Sequence, residues 1–266
     1  MPIKDILVHV GNSHHCGVLL DVAIDLARKH QARLTGLHVI SHPHYQPQHA
    51  GTDAIAAELQ TCFSRKTADA GITADWLGLE SSASGVNVAE IINFHALYKD
   101  LVIVGQASDS DDVEPDLPER VVLGAGRPVL IIPFAGTFAT VGEKVMIAWR
   151  AGRESTRALH DALPFLLTSR EVGILSVVQP DDAVSSNREP CAEVSAHLAC
   201  HGITARGEEL AGAAIPIGDL LLNHSWDKGC DLLVMGAYGY SGRGFALGSV
   251  AKDILGHMTL PVLMSH

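Results

Sequence analysis

With 266 residues the chain is long for one ordinary domain and comfortable for two of about 130 each. Hydrophobic residues make up 47% and charged residues 18%, a composition that folds and excludes a disordered chain. The net charge of −11 repels phosphates and anionic lipid, so neither nucleic acid nor a membrane surface is an expected partner; no apolar stretch reaches the roughly 18–20 residues of a membrane helix.

Met1-Pro2-Ile3-Lys4-Asp5 runs straight into a strand pattern without the apolar core of a signal peptide. Residues 3–10 read as a buried strand that ends in the turn Gly11-Asn12-Ser13. Val18, Leu19, Val22, Ala23 and Leu26 fall at helical spacing before the basic Arg28-Lys29-His30, which suits the negative end of a helix dipole. Residues 33–40 give a second strand, 41–51 a loop around Pro43 and Pro47, and 54–70 a helix closed by Gly71. A weaker strand over 72–79 and a helix over 86–98 lead to Leu101-Val102-Ile103-Val104-Gly105, the clearest buried strand of this half. An acidic loop over 106–118, a short helix over 119–125 and a strand over 128–132 complete five alternating strand–helix steps. Strands that alternate with helices imply a parallel sheet with right-handed crossovers and helices on both faces.

The same order then begins again. Strands are expected over 144–149, 171–178, 203–210, 232–236 and 262–264, with helices over 155–167, 191–201, 219–228 and 249–258 and a polar loop over 181–190. Three anchors align the halves: Ile6 with Val145, the block from Asp100 to Gly105 with that from Asp231 to Gly236, and Pro128-Val129-Leu130 with Pro261-Val262-Leu263. Their offsets of 139, 131 and 133 differ only by loop lengths. The fold class expected is therefore α/β: two tandem doubly wound domains, residues 1–138 and 139–266, each a five-stranded parallel sheet with helices on both faces. The five cysteines are odd in number and form no C-x-x-C pair, as expected of free thiols in a reducing cytoplasm.

This organisation resembles the universal stress protein (UspA-like) family in its tandem form. The resemblance rests on the first-strand turns at 6–13 and 145–152, the block ending at Gly236, the loop Gly236-Ala237-Tyr238-Gly239 leading to Gly248-Ser249, and Pro-Val-Leu in both halves. One branch of that family binds ATP through a G-x2-G-x9-G-S/T loop after the fourth strand and an Asp after the first. Glycines let the backbone approach phosphates, and the following helix adds partial positive charge. The second half keeps Gly236, Gly239, Gly248 and Ser249, but only eight residues separate Gly239 from Gly248, and Arg150 occupies the Asp position. An Arg cannot accept the hydrogen bond that an Asp accepts; it can stack on a base or pair with a phosphate. In the first half Gly105 is followed by Gln106-Ala107-Ser108, and Gly11 occupies the Asp position, so that half is read as having lost nucleotide binding.

The resemblance thus implies a cytoplasmic stress-response protein that binds an adenine nucleotide, ATP or AMP, in its second domain, with Mg accompanying ATP. The residues implicated are Gly236, Gly239, Arg243, Gly248, Ser249, Val250, Arg150 and Val177. The alternative is a scaffold of the same family that binds no nucleotide and acts through unidentified protein partners. Catalysis, at most a weak ATPase, ranks below both, because no serine elbow and no acidic pair for Mg marks the loop. The family's dimer contact implies an intramolecular pseudo-dimer through 129–132 and 262–264, with a homodimer left open. Of 15 histidines, His42, His44 and His49 share a loop and His197 and His201 lie four apart on one helix; neither group shows a recognised zinc spacing, and they are read as solvated or partly buried, while His160-Asp161 is read as an exposed helix face and not as a catalytic pair.

Overall fold

The computed structural model describes residues 2–13, 15–41, 50–81, 87–107, 114–178, 190–212, 215–237, 239–241 and 244–266. They form two compact units, Pro2–Ala139 and Thr140–His266. In the first, β1 (Asp5–His9), β2 (Arg33–Ser41), β3 (Ala74–Ser81), β4 (Leu101–Gly105) and β5 (Val129–Ile132) alternate with α1 (Cys16–His30), α2 (Ala50–Asp69), α3 (Val88–Ala96) and α4 (Leu117–Gly124). In the second, β6 (Lys144–Ala148), α5 (Arg153–Leu166), β7 (Glu171–Val178), α6 (Pro190–Cys200), β8 (Ala205–Ala211), α7 (Ile217–Asp227) and β9 (Leu232–Gly236) are followed by the short strands β10 (Gly239–Ser241) and β11 (Gly244–Ala246), α8 (Ser249–His257) and β12 (Val262–Ser265).

Within the first unit the strand order is β3-β2-β1-β4-β5, and within the second it is β8-β7-β6-β9-β12, every pair parallel. Helices pack in pairs, α1 with α2, α3 with α4 and α7 with α8, while α5 lies against β9 and β12. This is the doubly wound α/β architecture that the alternation of elements predicts. The central strands are the most apolar segments, and they carry the core: Ile6, Leu7 and Val8 beside Val102 and Ile103, and Val145 and Ile147 beside Leu233 and Val234, are all buried. The last-placed strand of the second unit, β8, alternates between exposed and half-buried positions, as expected at a sheet edge. No helix among the described residues is long and apolar enough to cross a membrane.

The two repeated sequence blocks have matching physical causes. Asp231 sits one residue before β9. Its carboxylate accepts the main-chain N–H groups of Gly142, Glu143 and Lys144 at 3.1, 3.1 and 2.9 Å and the Thr140 hydroxyl at 2.7 Å. Asp100 does the same before β4, accepting from the N–H groups of Lys4 and Asp5 at 2.8 and 3.0 Å. Each aspartate therefore ties the start of its unit's first strand to the start of its fourth. The repeated proline acts through its carbonyl: Pro128 accepts from the N–H of Val102 at 3.1 Å, and Pro261 from that of Leu233 at 3.0 Å. At the first position of a strand a missing N–H costs no ladder bond.

The cysteines Cys16, Cys62, Cys191, Cys200 and Cys230 are all free thiols. Burial pushes the thiols of Cys16 and Cys230 up to about 11, which leaves both protonated and unreactive at neutral pH.

Because a carboxylate that accepts main-chain donors contributes more than a neutral acceptor, Asp231→Ala is expected to destabilise the second unit by roughly 3 kcal/mol and Asp100→Ala the first by less. Urea unfolding followed by hydrogen exchange at the amides of β6 and β1 measures both.

Candidate functional site

In each unit the strand order turns back between the first and fourth strands, β1 and β4 or β6 and β9. The loops leaving the carboxyl ends of those strands lead away to opposite faces there, where this architecture is expected to open a crevice. Of the sequence-predicted site residues of the second unit, Arg150, Val177 and Gly236 lie at this end. Pairing of Ala148 with Leu175 and with Met235 carries Arg150 level with Val177 on β7 and with Ala237 beyond β9. Arg150 is exposed and Val177 half-buried. Arg243 lies outside the described residues, as do the loop histidines His42, His44 and His49 and most of the two long polar loops.

Gly236 ends β9, and its reason is steric. A Cβ built on it would lie 2.6 Å from both the carbonyl carbon of Glu154 and the amide nitrogen of Ser155, in the first turn of α5. The helix is seated directly on the strand end, a contact that only a glycine permits. The equivalent Gly105 has open space around its missing Cβ. One position of the loop motif is thus explained by helix–strand packing without reference to a ligand.

Residues 236–249 are read from the sequence as a single glycine-rich loop. The structure instead pairs β10 and β11 antiparallel, Gly239 with Ala246 and Tyr240 with Phe245. The backbone groups paired across this hairpin are not available to an anion, and among the described residues the N–H groups opening α8 are candidate donors. That helix begins at Ser249 after Gly248, which has extended backbone (φ −65°, ψ 158°) and supplies no side-chain cap. Ser249 is exposed, and Gly248 and Val250 are half-buried. No acidic residue stands in the first turn of α8, whereas α3, α4, α5, α6 and α7 carry Glu90, Glu119, Glu154, Glu193 and Asp219 there. The positive end of the α8 dipole is therefore left without an internal carboxylate. The helix is fixed in place by α7: a Cβ on Gly218 would meet Asp253 at 2.9 Å and the Val250 carbonyl at 3.4 Å.

The corresponding end of the first unit holds a cavity that sequence reasoning did not single out. His9, Gly11, Ser13, Gly105, Gln106 and Phe134 are among the residues that line it, and its volume of about 30 Å³ has room for water. Gln106 occupies the place of Ala237: the N–H groups of both bond across to the last strand, to the carbonyls of Ile132 at 2.7 Å and Ser265 at 2.8 Å. The buried Gln106 side chain then turns back and accepts from the N–H of Phe134 at 3.1 Å, narrowing the opening. His9 closes the floor. Burial first, and the neighbouring His38 second, push its pKa down to about 4. His38 in turn donates from Nδ1 to the Val10 carbonyl at 2.7 Å. The position of β1 relative to the switch point was the available signal for this pocket, but a histidine in an apolar strand carries no mark of it in the sequence.

Two outcomes follow from these contacts. Gly236→Ala forces a methyl against backbone and is expected to destabilise the second unit by about 2 kcal/mol or more, while Gly105→Ala is close to neutral; paired urea titrations distinguish them. His9 is neutral in the folded chain down to about pH 4 but takes up a proton near pH 6.5 when unfolded. Its contribution is thus complete above pH 6.5 and lost as pH falls toward 4, up to about 3 kcal/mol. His9→Gln removes that part of the slope when stability is measured across the same window.

The universal stress protein family profile matches residues 2–133 and again 143–266. A universal stress protein from Archaeoglobus fulgidus DSM 4304 is 16% identical, with a TM-score of 0.76 over 100% of this chain and 99% of that one. A functionally unknown protein from Pseudomonas aeruginosa PAO1 is also 16% identical, with a TM-score of 0.68 over 99% of this chain and 92% of its own. At such identity the likeness is one of fold. A universal stress protein solved in complex with cAMP aligns to 51% of this chain and 100% of its own at 18% identity and a TM-score of 0.38. No curated protein matches the chain. The two profile matches together span nearly all of the sequence, one on each doubly wound unit, and the chain belongs to the universal stress protein family.

Proposed function

We propose that the second unit binds an adenine nucleotide, ATP or AMP, with its phosphates at the start of α8. The observation that supports this reading is the α8 N-terminus, which has neither a side-chain cap nor an acidic residue and begins with Gly248-Ser249 beside the carboxyl end of a parallel sheet. Free N–H groups and the dipole there suit a phosphate, and the Ser249 hydroxyl adds a donor. The base and ribose would occupy the crevice toward Arg150 and Val177. Arg150 replaces an acceptor by a planar cation, so it would stack on the base or pair with a phosphate instead of reading the adenine edge. Arg243 supplies a second cation within the same loop sequence. Mg would accompany ATP through the phosphates.

A second reading, a scaffold without nucleotide, is favoured by two observations. Gly236 is already required by the seating of α5. Both Asp positions hold other residues, Gly11 and Arg150.

Isothermal titration of the whole chain with ATP, AMP and cyclic AMP separates the readings. Nucleotide binding predicts at least one Kd tighter than roughly 100 µM, about 5.5 kcal/mol. Ser249→Glu keeps a good residue for the first turn of a helix but puts a carboxylate where the phosphate would sit; it is expected to weaken binding about tenfold or more. Flat titrations with all three nucleotides would favour the scaffold.

A further inference from the structure

Away from the strand ends, the second unit brings together three histidines that the sequence keeps apart. His160 lies on α5, His197 on α6, and His201 in the turn that follows α6. Their ring centroids are 5.2 Å apart for His160 and His197, 5.0 Å for His197 and His201, and 6.3 Å for His160 and His201. All three residues are exposed. A cluster of three imidazoles has no apolar core to fill, and packing alone gives no reason for it.

We propose that His160, His197 and His201 form a binding site for a divalent transition metal of the zinc class. Neutral imidazole is the common ligand of zinc, nickel and copper, and three of them with water in the remaining position make a familiar zinc environment. The spacing suits it. With a metal–nitrogen bond of about 2.0 Å, an imidazole centroid sits about 3.1 Å from the ion, and two ligands at a tetrahedral angle have centroids about 5.1 Å apart. Two of the three observed separations match that value, and the third exceeds it by about an ångström. The nitrogens are not yet gathered: no three His, Cys, Asp or Glu side chains among the described residues are arranged to hold an ion as they stand. The rings meet edge to face, at interplanar angles of 62°, 71° and 86°. Turning them inward requires rotation about χ2, a broad torsion for histidine, and nothing buried moves with it. The i, i+4 spacing of His197 and His201 supplies two ligands from one turn, and His160 supplies the third from the neighbouring helix. An ion held there would clip α5 to the end of α6. The site stands whether or not the strand-end crevice takes a nucleotide.

The test is zinc titration of the full chain against a chromophoric chelator, repeated with His160→Gln and His197→Gln. One equivalent bound per chain, weakened about tenfold or more by each substitution, is the expected result, since even the loss of a ligand's outer-sphere partner weakens sites by 10–100-fold. Substituting cobalt gives the spectrum of a nitrogen- and oxygen-ligated ion, without a thiolate-to-metal charge-transfer band. The proposal is overturned if no single equivalent binds, if both variants bind zinc like the parent chain, or if the cobalt spectrum shows cysteine ligation. Because the three side chains are exposed, both variants should retain the parent's circular dichroism and urea midpoint in the absence of metal, which separates lost ligation from lost fold.

Discussion

The aspartate that precedes the fourth strand of each unit is the contact on which the site's geometry depends. At that point the sheet reverses its direction of growth, and the two strands flanking the reversal come from distant parts of the chain. Asp231 binds the entry to β6 through three main-chain donors and a hydroxyl, and Asp100 binds the entry to β1 through two. With the amino ends of the central strands pinned together, the carboxyl ends set the spacing of the loops above them. A crevice whose walls are two loops needs such a fixed base; otherwise a slip of one residue would exchange inward- and outward-facing side chains along both strands.

Much of this was legible in the residues. Buried parallel strands are nearly continuous apolar runs, so β4 and β9 announce themselves, and the Asp and Pro that flank the sheet recur because the same main-chain groups need partners in each half. Most boundaries moved by one or two residues, and the start of α2 by four, from 54 to Ala50. What could not be read was whatever depends on two elements meeting. Gly236 reads as a ligand glycine in the sequence, and the structure adds a packing reason for it that the sequence could not show, since the identity of its neighbour, the first turn of α5, is a tertiary fact. The hairpin of β10 and β11 was hidden because glycine is equally common in turns and in phosphate loops. His160 carried no signal of His197, as the two lie 37 positions apart with a strand between them.

The halves share a frame and differ at its functional end. After β4 the chain places a buried Gln106 whose amide carbonyl caps the backbone of Phe134; after β9 it places Ala237 and a hairpin. Gly105 has room beside it, and Gly236 has none. The first unit therefore closes over a water-sized space floored by a neutral imidazole, while the second keeps an uncapped helix beside its strand tips. What holds the sheet is common to both halves, and what faces the solvent above it differs.

The Gln106 bridge couples the width of the first unit's opening to the backbone that leaves β5. A short side chain at this position would widen the opening but leave the Phe134 amide without the acceptor it now has. Widening that end of the first unit therefore costs a main-chain hydrogen bond, so the size of the opening and the path of the chain beyond β5 do not change independently.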